Sequence, residues 1–597
     1  MNDTETIKKR IAALRGVMKS NGIDALIVPQ ADPHGSEYVA EHWQARRYLS
    51  GFTGSAGPLV VTADKAWVIA DSRYWLQAAK QLEGTGISVI EAGKPGAPGL
   101  DQLLVEELRD GQTAGVDGNL MSDASFASLS ASLEAAGVRL VATSDLVDGV
   151  WPDRPALPQG KVFIHNLEYA GEAAPSKLAT LCNNLNGAGV DAAFVADLAE
   201  IAWLLNIRST DVDYNPVVVS YLYVSDAMKV LFLDEAKLTD EVRAYLAYCG
   251  VTTAPYFVAE DFLRNLPDGT RVGYNPNSLP RKLAEAIVMP VPAGDFGVEV
   301  AKAMRNDVQI VGIRAAMERD GAALVKGFRE IESRVAAGLP TTEIDVDSIL
   351  TARRAEQPLF FSLSFDTIAG YAEHGAIVHY SATPDSASQL RPEGLLLVDS
   401  GSSFLDGTTD ITRTIALGEP TPEMRRDYTA VLKGNIRLAS AVFPAGTRGC
   451  QLDVLAREAM WRVGGHYLHG TGHGVGQFLN VHEGPQSIRM EYKDQALLPG
   501  MVTSDEPGIY RAGKYGIRLE NLILVVPAFK DEDWGEFYRF ETLTLYPFDR
   551  SLIDVAALNE EEKLWLNSYH AEVLRRLSPL LLAEERDWLA EKCRPVE

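Results

Sequence analysis

The chain has 597 residues, 46% of them apolar and 23% charged, the proportions of a folded water-soluble protein too long for a single core. A net charge of −25 with no basic stripe argues against a nucleic-acid or anionic-membrane partner, and no apolar run approaches the ~20 residues of a membrane span. Four scattered cysteines (Cys182, Cys249, Cys450, Cys593) without a C-x-x-C pair, and an acidic N-terminus leading into an amphipathic segment, fit a reducing, cytoplasmic setting.

Residues 5–20 predict a helix with Ile7, Ile11, Leu14 and Met18 on one face. Gly22-Ile23-Asp24-Ala25-Leu26-Ile27-Val28 turns into a buried strand, a helix is predicted over 37–48, and strands follow at 58–62 and 66–70. Asp71-Ser72-Arg73-Tyr74 closes the second of these and opens another helix. Further β-α units reach Val147, after which Gly149, Pro152, Pro155 and Pro158 mark a linker. The pattern then returns. Gly189-Val190-Asp191-Ala192-Ala193-Phe194-Val195 repeats the first turn and strand in residue type, and a helix through Trp203-Leu204-Leu205 stands where the first copy has Tyr48-Leu49-Ser50. Strands are predicted at 217–224 and 228–233. Duplication of one α/β domain explains this better than chance likeness between two βα units.

A second boundary falls at 290–297, and residues 299–335 predict one long helix bearing Ile310, Ile313, Met317 and Leu324. A helix over 342–356 follows, then strands to about residue 547, interrupted by helices at 422–441 and 451–463. Strand runs without alternating helices indicate an α+β domain with an antiparallel sheet. In the tail, Asn559 before three glutamates and Ser578 before Pro579 read as helix starts. Their apolar residues (Leu564, Tyr569, Val573, Leu577, Leu581, Trp588) need a partner, from the same domain or a second subunit. The expected domains are 1–155, 156–298 and 299–597, with a helical extension from about 551.

The chemistry gathers in the third domain, around His469-Gly470-Thr471-Gly472-His473-Gly474-Val475-Gly476. Alternate glycines disfavour a helix, so the His-x-x-x-His zinc helix does not apply. Val475 breaks a dinucleotide-type G-x-G-x-x-G, and no Gly-Lys-Ser/Thr follows. In an extended segment both imidazoles share one face. Upstream, the aliphatic run Leu395-Leu396-Leu397-Val398 ends in Asp399, a carboxylate expensive to bury uncompensated. The Asp406-Gly407 turn leads into the alternating stretch around Asp410, placing the two aspartates on neighbouring strands. Downstream, Glu506 precedes a Pro-Gly turn, and Gly516-Ile517-Arg518-Leu519-Glu520-Asn521 reads as a strand with Arg518 and Glu520 on one face. Singly, a strand-end aspartate is most often a turn former and a histidine in a glycine-rich strand is most often structural. Together, four carboxylates and a neutral imidazole carry about −4, which two divalent cations match, and an oxygen-rich set with one histidine suits manganese or another hard-to-borderline metal.

Asp399, Asp410, His473, Glu506 and Glu520, in that order and spacing, resemble the ligand set of the pita-bread metallopeptidases, a group that includes methionine aminopeptidase, prolidase and aminopeptidase P. Asp71-Ser72-Arg73-Tyr74, Ile207-Arg208-Ser209-Thr210-Asp211-Val212, Ala376-Ile377-Val378-His379-Tyr380, Asp399-Ser400-Gly401 and Asp410-Ile411-Thr412-Arg413-Thr414 look like the cytosolic three-domain aminopeptidase P family. The resemblance spans essentially the whole chain. It implies two duplicated creatinase-like α/β domains before a pita-bread catalytic domain, two divalent ions (Mn²⁺) and a homodimer. By the same resemblance Asp399 holds one ion, Asp410 and Glu520 bridge both, and His473 and Glu506 complete the second. Glu506 is then also the general base, His379 and His482 contact substrate with His482 at the oxyanion, and His469 assists binding or proton transfer. Arg73 would reach the substrate from the first domain, and Arg518 would orient the carboxylates. The implied substrates are peptides with proline second. Prolidase-type dipeptidase action is the nearest alternative, and a non-catalytic peptide-binding relative is the alternative from another class.

Overall fold

A computed structural model describes residues 4–597; Met1, Asn2 and Asp3, part of the acidic N-terminus, lie outside the described residues. One compact unit runs to Val298, except for Asn166–Gly171, which belong with Glu299–Glu597 in the other.

The first unit holds two six-stranded sheets and a two-stranded one, Phe163–Ile164 with Ile207–Arg208. β1 (Ala25–Val28), β2 (Leu59–Thr62), β3 (Ala66–Ala70), β4 (Ser88–Glu91), β5 (Thr113–Asp117) and β6 (Arg139–Thr143) stand in the order β4-β3-β2-β1-β5-β6. β7 (Ala192–Val195), β8 (Tyr221–Ser225), β9 (Lys229–Leu233), β10 (Thr252–Pro255), β11 (Arg271–Gly273) and β12 (Met289–Val291) stand in the order β10-β9-β8-β7-β11-β12. The pairing directions match as well. β1 runs antiparallel to β2 and parallel to β5, as β7 does to β8 and β11. A central strand covered on both faces reads as an unbroken aliphatic run, and the ALIV and AAFV strands are buried at every position. Two sheets of one topology establish the duplication.

Two local expectations fail here. In place of a helix over 37–48 there is a 3₁₀ turn, Glu41–Trp43, and a helix limited to Ala45–Ser50 that stops at left-handed Gly51. Buried Arg46 donates to the carbonyls of Ala56 (2.8 Å) and Gly57 (2.9 Å), so a tie to the following loop, not helical periodicity, fixes this segment. The strand expected from 217 starts at Tyr221, because the Val219 amide donates to Asp211 Oδ2 (2.8 Å) instead of a neighbouring strand.

Every strand pairing in the second unit is antiparallel, as the α+β reading requires. Leu395–Ser400 sits between Ile368–Tyr371 and Ile411–Ala416. A six-stranded sheet runs in the order Val442–Pro444, Gly535–Thr542, Asn521–Asp531, Val502–Asp505, Gly472–Gly474, Glu483–Ile488. Asp307–Ala336 packs on Glu343–Ala355, and Pro422–Ala439 on Gly449–Trp461. One core contains Leu395, Leu396 and Val398 beside Leu522 and Leu524, and extends to Leu566, Val573 and Leu577 of the tail.

The long helix expected over 299–335 is two, Val298–Ala303 and Asp307–Ala336. Extended Asn306 breaks it with a capping box: its side chain accepts from the Gln309 amide (3.0 Å), and the Gln309 side chain accepts from the Asn306 amide (3.2 Å). In the tail, Asn559 caps Glu560–Leu577 as expected. Ser578 instead ends that helix, Pro579 lies in a 3₁₀ turn, and the last helix is Ala583–Lys592. Tyr569, Val573 and Leu577 are buried within this unit, whereas Leu564 is exposed.

The tail also buries a titratable group. His570 is fully buried, accepts from the Phe548 amide (3.1 Å), and burial holds its imidazole at about 3, far below the ordinary value. The unfolded chain takes up this proton as pH falls through about 6.5, while the folded chain does not until about 3. Stability is therefore fully present above pH 6.5 and falls between these limits by up to about 1.4 kcal/mol per pH unit from this group. His570→Gln, which keeps an acceptor without a basic nitrogen, should lose less urea resistance than the parent between pH 7.5 and 5; identical losses would contradict this.

Candidate metal centre

Asp399 lies near the end of Leu395–Ser400, where it pairs with Thr412, and Asp410 comes immediately before Ile411–Ala416. The aspartates are thus on adjoining strands as expected, but the connection is more than a simple turn. The chain between them makes two short strands, Ser402–Phe404 and Gly407–Thr408, in a separate small sheet. Glu520 does not continue the strand of Arg518. That strand, Tyr515–Arg518, ends at Arg518, and the Glu520 amide turns to donate to the Thr412 carbonyl (3.0 Å). The two side chains still meet at Thr412, whose hydroxyl accepts from Arg518 and donates to Glu520, while Arg518 alone reaches Asp399.

The glycine-rich segment is strand only over Gly472–Gly474, so His469 lies outside it. A β-carbon on Gly472 would sit 1.9 Å from the Ser504 carbonyl oxygen, so only glycine permits this approach to Val502–Asp505, the strand just before Glu506. Both imidazoles nevertheless face one carboxylate: His473 Nε2 is 3.7 Å from Glu506 Oε1, and His469 Nδ1 is 4.0 Å from Oε2.

Three triads bring donor atoms within 4.8 Å of one another: Asp399, Asp410 and Glu520; His473, Glu506 and Glu520; and Asp410, His473 and His482. The five expected ligands therefore converge, and His482 joins them, its ring edge-on to His473 at 4.3 Å. Burial pushes Asp399 upward, against the pull of Arg518 and with Asp410 adding to the rise. Burial raises Glu506 to about 7, and burial with repulsion from Asp410, Asp399 and Glu506 drives Glu520 well above the carboxylate range.

Two details fit divalent cations. Asp399 Oδ1 is buried without a hydrogen-bond partner, although Oδ2 accepts from Arg518 (2.7 Å). His473 Nδ1 lies 2.9 Å from the Gly474 carbonyl, to which it can only donate. In the neutral ring Nε2 then presents a lone pair to Asp410 Oδ2 at 3.4 Å. A lone pair facing carboxylate oxygen is repulsive unless a proton or cation lies between them. The donor set, oxygen-rich with imidazole, is that of a hard-to-borderline divalent ion.

Arg518 and His469, both expected at the site, are braced by residues that gave no sequence signal: Tyr510, Thr412, Asp453 and Arg457. Buried Arg518 donates to Asp399, to Tyr510 Oη (2.8 Å), to Thr412 Oγ1 (3.2 Å) and to the Val378 carbonyl (3.3 Å). Thr412 donates to Glu520 (2.8 Å). His469 Nδ1 faces the Gly470 carbonyl (2.7 Å), so in the neutral ring Nε2 accepts from Tyr510 (2.8 Å). From Gly449–Trp461, the buried Asp453–Arg457 pair (2.6 Å) holds the histidine loop: Arg457 donates to the Tyr467 (2.7 Å) and His469 (3.1 Å) carbonyls, and Thr471 donates to Asp453 (2.6 Å). Tyr510→Phe breaks the Arg518-to-His469 chain while keeping the ring, and should cost about 10- to 100-fold in rate with the metal content retained. An unchanged rate would sever His469 from this network.

His379 is half-buried and follows Val378, whose carbonyl Arg518 holds; it is outside the three triads. Arg73 belongs to the first unit, where it pairs with Asp71 at 2.7 Å.

Comparison with known proteins adds the following. Residues 311–527 match the model of metallopeptidase family M24, and 536–596 that of its C-terminal region. Residues 10–150 and 153–309 each match a creatinase/prolidase N-terminal domain. A Laccaria bicolor protein named Probable Xaa-Pro aminopeptidase P is 39% identical over 99% of this chain and 94% of its own length. Aminopeptidase P2 of Arabidopsis thaliana is 38% identical over 99% of this chain and 89% of its own. The crystal structure of X-prolyl aminopeptidase from Caenorhabditis elegans, described as a cytosolic enzyme with a di-nuclear active site, matches with a TM-score of 0.94 and 34% identity, covering 99% of this chain and 100% of that one. An Xaa-Pro dipeptidase from Bacillus anthracis, 23% identical with a TM-score of 0.50, covers 63% of this chain and 99% of its own, a likeness of fold alone.

Proposed function

This chain belongs to metallopeptidase family M24, in its aminopeptidase P branch, and on that premise we propose that it removes the N-terminal residue from peptides whose second residue is proline. The carrying observation is end-to-end similarity, at 39% identity, to a protein named for that activity. The convergent carboxylate and imidazole groups give the reading its chemistry.

Asp399, Asp410, His473, Glu506 and Glu520 are the residues we assign to hold two divalent ions, Mn²⁺ by the character of the donors. Such ions supply Lewis acidity and make water nucleophilic near neutral pH. The remaining work falls to the chain. Glu506 takes the proton of the attacking water and returns it to the departing proline nitrogen. His482 donates to the carbonyl oxygen as it gains charge, and His379 holds the peptide beside it. His469 steadies the bound peptide or passes a proton, with Tyr510 fixing its ring. Arg73 is assigned to substrate binding. The acidic cluster favours the free, cationic amino terminus. A bond to proline carries no N–H, so a site that does not rely on gripping that hydrogen can accept it.

The cellular setting we propose is the cytoplasm, and the working form a homodimer. Among the described residues no helix is long and apolar enough to cross a membrane. Purified protein with Mn²⁺ should release arginine from Arg-Pro-Pro faster than it splits the dipeptide Arg-Pro. The reverse order would make it a prolidase, and release from neither would leave the binding-protein alternative.

A further inference from the structure

Glu343 opens the Glu343–Ala355 helix, and its side chain is buried. One carboxylate there gathers four donors from a single stretch of chain. Oε1 accepts from the Tyr371 amide (2.8 Å) and from His374 Nδ1 (2.9 Å), and Oε2 from Tyr380 Oη (2.9 Å) and the Ser388 amide (2.7 Å). His374 stacks on the Tyr380 ring at 4.3 Å. The backbone between them is wound by successive turns, Ile377 N to His374 O (3.0 Å) and Tyr380 N to Ile377 O (3.1 Å). It starts from Ala372 in the left-handed region (φ 49), strain that an over-determined segment can hold.

Two features connect this segment to the metal centre. The Val378 carbonyl accepts from Arg518, which also holds Asp399. A β-carbon on Gly516 would lie 1.7 Å from the Gly375 carbonyl oxygen, so the strand that ends in Arg518 packs directly on the turn. Between Val378 and Tyr380 lies His379.

We propose that Glu343 is a positioning residue, its carboxylate shaping residues 371–388 so that His379 meets the substrate. This rests on the peptidase reading above. Glu343 touches no reacting atom; it acts through Tyr380 and His374. Glutamine is nearly isosteric but turns an NH₂ toward donors, so Glu343→Gln loses two of the four contacts.

The test uses the full chain with Mn²⁺ and has two arms. In the first, amide hydrogen exchange of Glu343→Gln should quicken about tenfold at Tyr371 or at Ser388, whichever amide the new NH₂ faces, whatever the activity. In the second, kcat/KM on Arg-Pro-Pro should fall about tenfold or more in Glu343→Gln, but change by less than about twofold when the same substitution is made in a His379→Ala background. Tyr380→Phe, which removes one donor and keeps the ring, should give a smaller loss with the same non-additivity and serves if Glu343→Gln folds poorly. Equal losses with and without His379 would reduce Glu343 to general support and overturn the proposal, as would unchanged exchange. An inactive parent with quickened exchange would instead overturn the peptidase reading and leave the anchoring role of the carboxylate standing.

Discussion

Asp410→Asn is expected to empty the centre and lower kcat/KM by at least about a thousandfold, the equivalent of about 4 kcal/mol. Asp410 belongs to both the Asp399–Glu520 triad and the His473–His482 triad, so, like Glu520, it reaches both ends of the cluster. The amide keeps the shape and removes the charge. A second consequence distinguishes loss of metal from damage to the fold. Asp410 is among the charges that push Asp399 and Glu520 upward. With chelator present, the variant should therefore melt a few degrees higher than the parent, and with Mn²⁺ the order should reverse. Metal analysis after gel filtration, with both melting curves, checks this. Undiminished metal content, or a variant less stable under both conditions, would go against it.

Glu506→Gln should act on the rate rather than on binding. Its carboxylate lies within 4.0 Å of both His469 and His473, and burial already raises it to about 7. Its amide holds the Thr471 carbonyl (2.8 Å), so the backbone survives the substitution. Removing a general base costs about 10²- to 10⁴-fold. The expected result is a fall in kcat of that size with KM for Arg-Pro-Pro changed only a few-fold, measured at saturating Mn²⁺. A kcat within a few-fold of the parent would assign the base elsewhere.

These side chains were legible because each lies at a break in a strong local pattern. Asp399 ends an aliphatic run, Asp410 begins an alternating one, and His473 lies among glycines that only a close backbone approach explains. What holds them was not legible, for a physical reason. Tyr510, Thr412, Asp453 and Arg457 act through hydrogen bonds made across the fold, and a tyrosine in a strand or an Asp–Arg pair four apart on a helix looks the same whether it braces a centre or faces water. Period-two alternation put Arg518 and Glu520 on one strand, but the strand ends at Arg518, and it is the Thr412 hydroxyl that brings the two side chains together. The Asn306–Gln309 box was present in the sequence, yet apolar spacing continues across it, and periodicity alone joined two helices. Duplication of the α/β domain was readable because a strand buried on both faces must be aliphatic in each copy.

The central claim is that Asp399, Asp410, His473, Glu506 and Glu520 together bind a pair of divalent ions. Anomalous diffraction at the manganese edge, from crystals of the full chain grown with excess Mn²⁺, tests it most directly. Two peaks enclosed by these five side chains are predicted; no peak there, or manganese held only by other residues, would contradict it.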